Sequence, residues 1–292
     1  MQSKRPVFFP PVEADTLYLR LTIGCSYNQC SFCGTYRDAS FKERNFEEIK
    51  AEVDKVCDRN KNDVRRIILG EGDALVADSR LLHKALRLFS DSFPNLQHVG
   101  TYTTTRALLD KSARSLAGIR KEGLITLYMG VESGSDRILE RMNKGVTSAE
   151  ILEASQKAIG AGFKLSTMVM LGAGGRHLWR EHTAATGRLL SEINPATIIM
   201  LTLVLIPNTP LFEAARRGTF TPPTPVESVL ELKELITAIH VVDTMFKSSH
   251  ASNYLKVSGM LPKDKDQMLH QLERVLNNPT EEFFNPEYFR GS

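Results

Sequence analysis

No stretch of this chain is apolar for long enough to cross a bilayer. A helical span needs about 20 residues, and the longest apolar run, Ala196 to Ile206, has 11 and includes two Thr. The opening Met1-Gln2-Ser3-Lys4-Arg5-Pro6 lacks the apolar core of roughly 7–15 residues that marks a secretory signal. Charge of one sign is scarce: 37 Lys and Arg against 34 Asp and Glu leave +3, too little to mark a nucleic-acid surface by itself. The 19 Gly and 13 Pro follow no period, which excludes collagen-like and low-complexity chains, and 42% hydrophobic residues exclude a disordered one. Cysteine is rare, four in 292 residues, whereas a disulfide-held secreted scaffold would be shorter and denser in it. The expected compartment is the cytoplasm, where thiols stay reduced.

What is present is an alternation. Apolar runs rich in β-branched residues recur at Thr16–Gly24, Arg65–Glu71, His98–Thr103, Ile125–Glu132, Lys164–Leu171 and Thr197–Leu205. Helix-period segments lie between them. Asn45 and Glu48 open the first like a capping box; Leu81, Leu82, Ala85, Leu86 and Leu88 stripe the second, Leu116 and Ile119 the third. The fourth carries Ile138, Leu139, Ile151, Leu152, Ala158 and Ile159 and breaks at Gly145; the fifth carries Leu189, Leu190 and Ile193. Gly123, Gly162 and Asn194-Pro195 end three of them. Strands alternating with helices predict parallel βαβ units, and strands buried on both faces read as continuous apolar runs. Six such units make an open doubly wound sheet or most of a (β/α) barrel. In either, ligands meet the C-terminal ends of the strands. Glu71 and Asp73, Thr103, and Glu132 and Ser133 fall at those ends. The character changes after Pro207: helices over Thr209–Arg217, Val226–His240 and Lys263–Leu276, and an extended piece at Met245–Tyr254. This divides the chain into residues 1–206 and an extension, 207–292, packed on the first part.

Three of the four cysteines, Cys25, Cys30 and Cys33, lie within nine residues as Cys-x4-Cys-x2-Cys, just after the first run. Cys57 falls in the apolar pattern of Ile49, Val53 and Val56 and reads as a small buried hydrophobe. A clustered trio of reduced thiols points to metal or catalysis rather than structure. A structural zinc wants four closed ligands. A 4Fe–4S cubane on three cysteines leaves one iron open for reaction. The Phe32 ring, between the last two cysteines, would lie beside such a cluster. A zinc knuckle completed by a distant His or Asp, or thiols without a metal, are the alternatives.

At these residues the chain resembles the radical SAM superfamily. That family's motif is Cys-x3-Cys-x-aromatic-Cys, in the loop after the first strand of a partial (β/α)6 TIM-like barrel. Ser31-Phe32 supplies the x-aromatic pair, and Cys25 and Cys30 stand one residue further apart than in the motif. The resemblance implies an α/β partial (β/α)6 barrel with a C-terminal helical extension. It also implies a 4Fe–4S cluster on Cys25, Cys30 and Cys33, and S-adenosylmethionine (SAM) on the open iron. Gly70-Glu71-Gly72-Asp73 is similar to the segment that binds the SAM amino group, through Glu71 or Asp73. Val131–Leu139 is similar to the methylthiotransferase and coproporphyrinogen dehydrogenase branches. There a polar strand-end residue (here Glu132) touches the ribose, and a basic residue twelve positions on (here Lys144) pairs with the SAM carboxylate. Lysine, where the family usually has Arg, acts as a point charge. Val169-Met170-Leu171-Gly172 and Leu205-Ile206-Pro207 resemble the stretches that meet adenine, and Thr103 ends the third strand on the same rim. Taken singly, Glu132 could be a helix cap, Lys144 a solvated helix end, and Glu71 and Asp73 caps of the next turn.

The implied activity is reductive cleavage of SAM to a 5′-deoxyadenosyl radical that takes hydrogen from a small-molecule or peptide substrate. The electron would come from a low-potential donor such as flavodoxin or ferredoxin. The rival is a cluster- or zinc-binding sensor without radical turnover. No catalytic residue is assigned. No second cysteine cluster, preceding cobalamin domain or following RNA-binding barrel is expected, so neither nucleic acid nor membrane is an expected partner. Tyr102, Thr104 and Arg106, and the polar segment Ser249–Tyr254, are candidate substrate-facing groups; the latter could equally be a surface turn. His177 and Trp179 read as a lid or a plain loop after Gly172-Ala173-Gly174-Gly175. That glycine run has no Lys-Ser/Thr and is no phosphate-binding P-loop. A Rossmann-type dehydrogenase would need Gly-x-Gly-x-x-Gly after a strand, which is missing.

Overall fold

The structure, a computed structural model, describes residues 16–56, 58–280 and 284. The reading of Cys57 lies outside the described residues. β1 (Thr16–Leu19) is followed by β2 (Thr22–Ile23), β3 (Lys42–Glu43), α1 (Phe46–Asp54) and α2 (Asp58–Lys61). Strands and helices then alternate: β4 (Arg66–Leu69), α3 (Ser79–Ser92), β5 (His98–Thr103), α4 (Thr105–Asp110), α5 (Ala113–Lys121), β6 (Leu124–Glu132), α6 (Asp136–Arg141), α7 (Ser148–Gly160), β7 (Lys164–Leu171), α8 (Gly175–Ile193) and β8 (Thr197–Thr202). After these come α9 (Pro210–Arg216), α10 (Pro225–Ala238), β9 (Thr244–Ser248), β10 (Val257–Leu261) and α11 (Lys265–Asn277). The main sheet runs β1-β4-β5-β6-β7-β8-β9-β10. The pairs β1/β4, β4/β5, β5/β6, β7/β8 and β8/β9 are parallel, and β9/β10 is antiparallel. This is the α/β order that the six apolar runs predict.

Three boundaries differ from the sequence reading. The first run does not stay in the sheet to Gly24. The chain leaves at Arg20, the Arg44 amide donates to the Leu21 carbonyl, and Thr22–Ile23 pairs antiparallel with Lys42–Glu43. The sixth strand stops at Thr202 instead of Leu205, where the Thr202 amide turns to the Ser252 hydroxyl. The extension is not only helical: it adds a hairpin, of which the expected extended piece supplied one half.

The described chain forms two compact units. One takes in residues 16–28, 35–129 (57 aside) and 154–165; the other 29–34, 130–153, 166–280 and 284. In the first, Ile67, Leu69, Val99, Leu127 and Met129 of the strands are buried, as are the stripes Leu82/Ala85/Leu86/Phe89 of α3 and Leu116/Ile119 of α5. Each of these side chains larger than alanine contributes about 1.5–3 kcal/mol. The capping box is formed: the Glu48 amide donates to the Asn45 side chain and the Asn45 amide to the Glu48 carboxylate. In the second unit α8 packs on α10 and α10 on α11. The first of these approaches needs Gly187, where a Cβ would lie 2.5 Å from Ala238 Cβ. A second capping box, Thr224 with Glu227, starts α10 behind Pro225. Among the described residues no helix is long and apolar enough to cross a membrane.

Candidate functional site

In the first unit the cysteine loop is tied to the end of β4. Glu71 has φ 72°, a left-handed conformation uncommon for a residue with a branched-off carboxylate chain. From there its carboxylate accepts the Gly24 amide at 2.9 Å and lies 3.8 Å from the Arg20 guanidinium. The Gly72 amide donates to the Gly24 carbonyl at 3.0 Å, and a Cβ on Gly72 would stand 2.6 Å from that of Cys25. Asp73 is fully buried. It accepts the hydroxyls of Ser26 (2.8 Å) and Thr104 (2.7 Å) and the Val76 amide (3.3 Å), and burial pushes its carboxyl above the usual range. Both acidic candidates therefore hold the loop that carries Cys25. Thr103 is buried and bonds to its neighbour's carbonyl, while Thr104, flagged only as substrate-facing, caps α4 and reaches Asp73. Tyr102 stands against Tyr128, ring centroids 5.6 Å apart.

In the second unit the other two cysteines are pinned separately. The Cys33 amide donates to the Cys30 carbonyl, closing a turn. Between them the Ser31 amide donates to the Met142 carbonyl (2.8 Å), the Ser31 carbonyl accepts the Leu211 amide (3.0 Å), and the Asn143 side chain donates to the Gln29 carbonyl. Phe32 packs against two apolar groups, Ile138/Met142/Ala173 and Leu203/Leu211/Phe220. Its ring thus anchors the loop as well as flanking it. Ile206 lies beyond the end of β8; its carbonyl accepts the Thr209 hydroxyl at 2.7 Å, and its side chain would meet a Cβ on Gly34. None of the three cysteines is in a disulfide, and each is half-buried. Among the described residues no three His, Cys, Asp or Glu groups are set around a single ion. A cubane asks for something wider, three thiolates on three separate irons, and three unbridged cysteines on one anchored loop are a suitable donor set for it.

Glu132 and Lys144 meet. Lys144 Nζ donates to Glu132 Oε1 at 2.9 Å, with side chains 16% and 9% exposed in that order. Glu132 is the second strand-end glutamate with a left-handed backbone, φ 60°. Such outliers persist only where the surroundings enforce them, and they cluster at functional sites. Gly130 makes the room: a Cβ there would lie 2.3 Å from the Glu132 carboxylate and 2.9 Å from the ammonium. The cap of α6 is Ser135, not Glu132.

Sequence reasoning missed a buried polar set behind these strand ends. His182 of α8 and Glu231 of α10 are both fully buried, 3.7 Å apart. The Gly172 amide, at the end of β7, donates to both Glu231 oxygens at 3.0 and 3.1 Å. His182 Nδ1 is 2.9 Å from the Ser133 hydroxyl at the end of β6. Burial pushes Glu231 up to about 8 and His182 down to about 4, the Met170 backbone opposing the latter. Both are neutral at pH 7. The folded state holds the Glu231 proton that the unfolded chain releases above 4.5, so stability falls as pH rises from 4.5 through 8. His182 acts in the opposite sense, lowering stability as pH falls from 6.5 through 4. Between 6.5 and 8 only Glu231 operates. We expect the melting temperature, read by calorimetry, to fall by several degrees across that window. Glu231→Gln should flatten the profile; a flat wild-type profile would contradict the assignment.

Two further expectations change. His177 and Trp179 form no loop; they are in the first turns of α8. Ser249–Tyr254 is a turn between β9 and β10 that is exposed at Ser249 and Ala251 and buried at Ser252 and Asn253, where Asn253 accepts the Thr202 hydroxyl and donates to the Met200 carbonyl.

The family model described as the radical SAM superfamily matches residues 19–184, more than half of the chain. A curated tRNA-2-methylthio-N(6)-dimethylallyladenosine synthase from Bordetella avium is 26% identical over 219 residues, 69% of this chain and 44% of that protein. The protein of the same name from Methylibium petroleiphilum is 29% identical over 205 residues, 63% of this chain and 42% of its own length. The chain thus spans less than half the length of the curated relatives it matches. Among solved structures, coproporphyrinogen III oxidase from Escherichia coli aligns with a TM-score of 0.57 at 19% identity, covering 76% of this chain and 51% of that one. An archaeal Elp3 from Methanocaldococcus infernus aligns at 0.55 and 14% identity, covering 89% and 63%. Likeness at that identity shows the fold.

Proposed function

Since the chain belongs to the radical SAM superfamily, whose enzymes use a 4Fe–4S cluster and SAM, we propose that Cys25, Cys30 and Cys33 hold the cluster and that residues at the ends of β4, β6, β7 and β8 hold SAM. When bound, the cluster supplies the single electron that splits the sulfonium–carbon bond of SAM and so starts radical chemistry on a substrate. The rest of the work falls to the protein, which positions these groups and keeps water away.

The observation that carries this reading is the pair of left-handed glutamates at the strand ends, one tied to the Cys25 loop and one paired with Lys144. Glu71 fixes the start of the loop at Gly24, and Asp73 fixes Ser26, so Cys25 is held from both sides. The Ser31 bonds and the Phe32 ring fix the Cys30–Cys33 turn. Lys144 is a partly buried cation whose present partner is a carboxylate; a SAM carboxylate would take the same donor, freeing Glu132 for the ribose hydroxyls. Gly172 and the Ile206 region would face the adenine. The rival reading as a sensor without turnover gains no support. For the substrate we retain a small molecule or peptide, with a low-potential flavodoxin or ferredoxin as electron donor; a net charge of +3 is too small to argue for RNA by itself.

The test is Lys144→Met in anaerobically reconstituted protein. SAM affinity, measured by equilibrium dialysis, should drop roughly tenfold or more, because a charge-assisted contact is lost. Iron content should stay at the wild-type level. Unchanged affinity would assign the Glu132–Lys144 pair to the fold alone.

A further inference from the structure

The two strand ends that would carry SAM in the second unit both turn through positive φ. Glu132 is left-handed, and Gly172 has φ 84°, with Pro223 so close that a Cβ would lie 3.2 Å from it. Neither end is fixed by the sheet alone. Helix α8 presses on the residues after Glu132 closely enough that a Cβ on Gly134 would stand 2.4 Å from the Ala185 carbonyl. The Gly134 amide donates to the Thr186 hydroxyl at 2.8 Å, and Thr186 in turn is 3.3 Å from His182 Nδ1. His182 Nδ1 also meets the Ser133 hydroxyl, which accepts the Ser135 amide at 3.1 Å. From the other side, α10 sends Glu231 to take the Gly172 amide with both oxygens. Ser133, His182, Thr186 and Glu231 are all buried, so water does not substitute for these bonds.

We propose that His182 and Glu231 are positioning residues, the two halves of a buried brace: His182 of α8 holds Ser133 and Glu231 of α10 holds Gly172, and together they set the SAM-binding ends of β6 and β7. The inference rests on the reading of Glu132 and Gly172 as cofactor contacts. It makes α10, part of the C-terminal extension, a structural component of the cofactor site. A carboxyl group is suited to the task because two oxygens accept one amide without a tightly specified angle. A neutral carboxyl leaves no net charge in an apolar interior. Supporting residues of this kind typically change ligand affinity by 10–100-fold when removed.

The experiment uses the full chain, reconstituted anaerobically, with Glu231→Leu and Glu231→Gln side by side. Leucine removes the acceptor; glutamine keeps one. Three quantities are read: iron and sulfide per chain, SAM affinity by equilibrium dialysis, and hydrogen exchange of the peptide spanning Gly172. In Glu231→Leu, SAM affinity should fall roughly tenfold and exchange at Gly172 should accelerate, at unchanged iron content. In Glu231→Gln both should return to within about threefold of wild type. If the leucine variant does not fold, Ser133→Ala deletes only the hydroxyl facing His182 and should still weaken SAM binding by severalfold. The proposal is overturned if glutamine is no better than leucine, if Ser133→Ala binds SAM as wild type does, or if Gly172 exchange is the same in all variants. A wild-type protein that loads its cluster and binds no SAM sinks the cofactor reading and the brace's purpose with it; Gly172 exchange then still reports whether the brace exists.

Discussion

With Cys25, Cys30 and Cys33 all replaced by alanine, reconstituted protein should hold background iron and sulfide, and dithionite should release no 5′-deoxyadenosine from SAM. The fold should survive the change. The loop keeps anchors that the substitutions leave in place: Glu71 on the Gly24 amide, Asp73 on Ser26, Met142 and Leu211 on Ser31, and the Phe32 ring in two apolar groups. The thiols themselves are half-buried, so little apolar contact is lost with them. Far-UV circular dichroism and the melting temperature should therefore stay near wild type while the chemistry disappears. SAM cleavage at the wild-type rate in this variant would refute the ligand assignment.

The second large effect is expected from a single methyl group. In Gly72→Ala the new Cβ would stand 2.6 Å from Cys25 Cβ, 2.9 Å from its Cα and 3.1 Å from its sulfur. The obstacle is partly backbone, so no rotamer change relieves it. The Gly72 amide also bonds to the Gly24 carbonyl, which stops the β4 end from simply backing away. Cys25 must then move, and the sulfur with it. We expect iron per chain after reconstitution to fall severalfold, with a stability cost of about 1–3 kcal/mol. Full iron loading together with an unchanged melt would show that Gly72 does not set the position of Cys25.

Much of this was visible in the residue order, for identifiable reasons. β4 to β7 are mostly buried on both faces, so Ile67–Leu69, Val99–Thr103, Leu127–Val131 and Leu165–Leu171 read as continuous runs with few charges rather than as alternating ones. Asn45 with Glu48 announced α1 because a capping box is local chemistry. Glu132 and Lys144, singled out as separate contacts twelve residues apart, meet each other in the fold. Tertiary bonds were not legible. The break after Leu19 depends on Arg44, and the end of β8 on Ser252, partners 24 and 50 residues distant from Arg20 and Thr202. The roles of Gly72, Gly130 and Gly134 are contacts that a missing side chain allows, and no periodicity reports them. His182 and Glu231 did leave a trace. Each occupies the apolar stripe of its helix, His182 with Thr186 and Leu189, Glu231 with Ser228 and Leu235, all buried. A polar residue on a buried stripe is a signal of a satisfied polar set.

The central claim is an iron that the protein leaves open for SAM. Electron paramagnetic resonance of anaerobically reconstituted, dithionite-reduced protein, recorded with and without SAM, tests it most directly. The account predicts about four irons per chain and a reduced-cluster spectrum whose g-values shift when SAM is added. A spectrum indifferent to SAM, or a metal analysis showing zinc in place of iron, would contradict it.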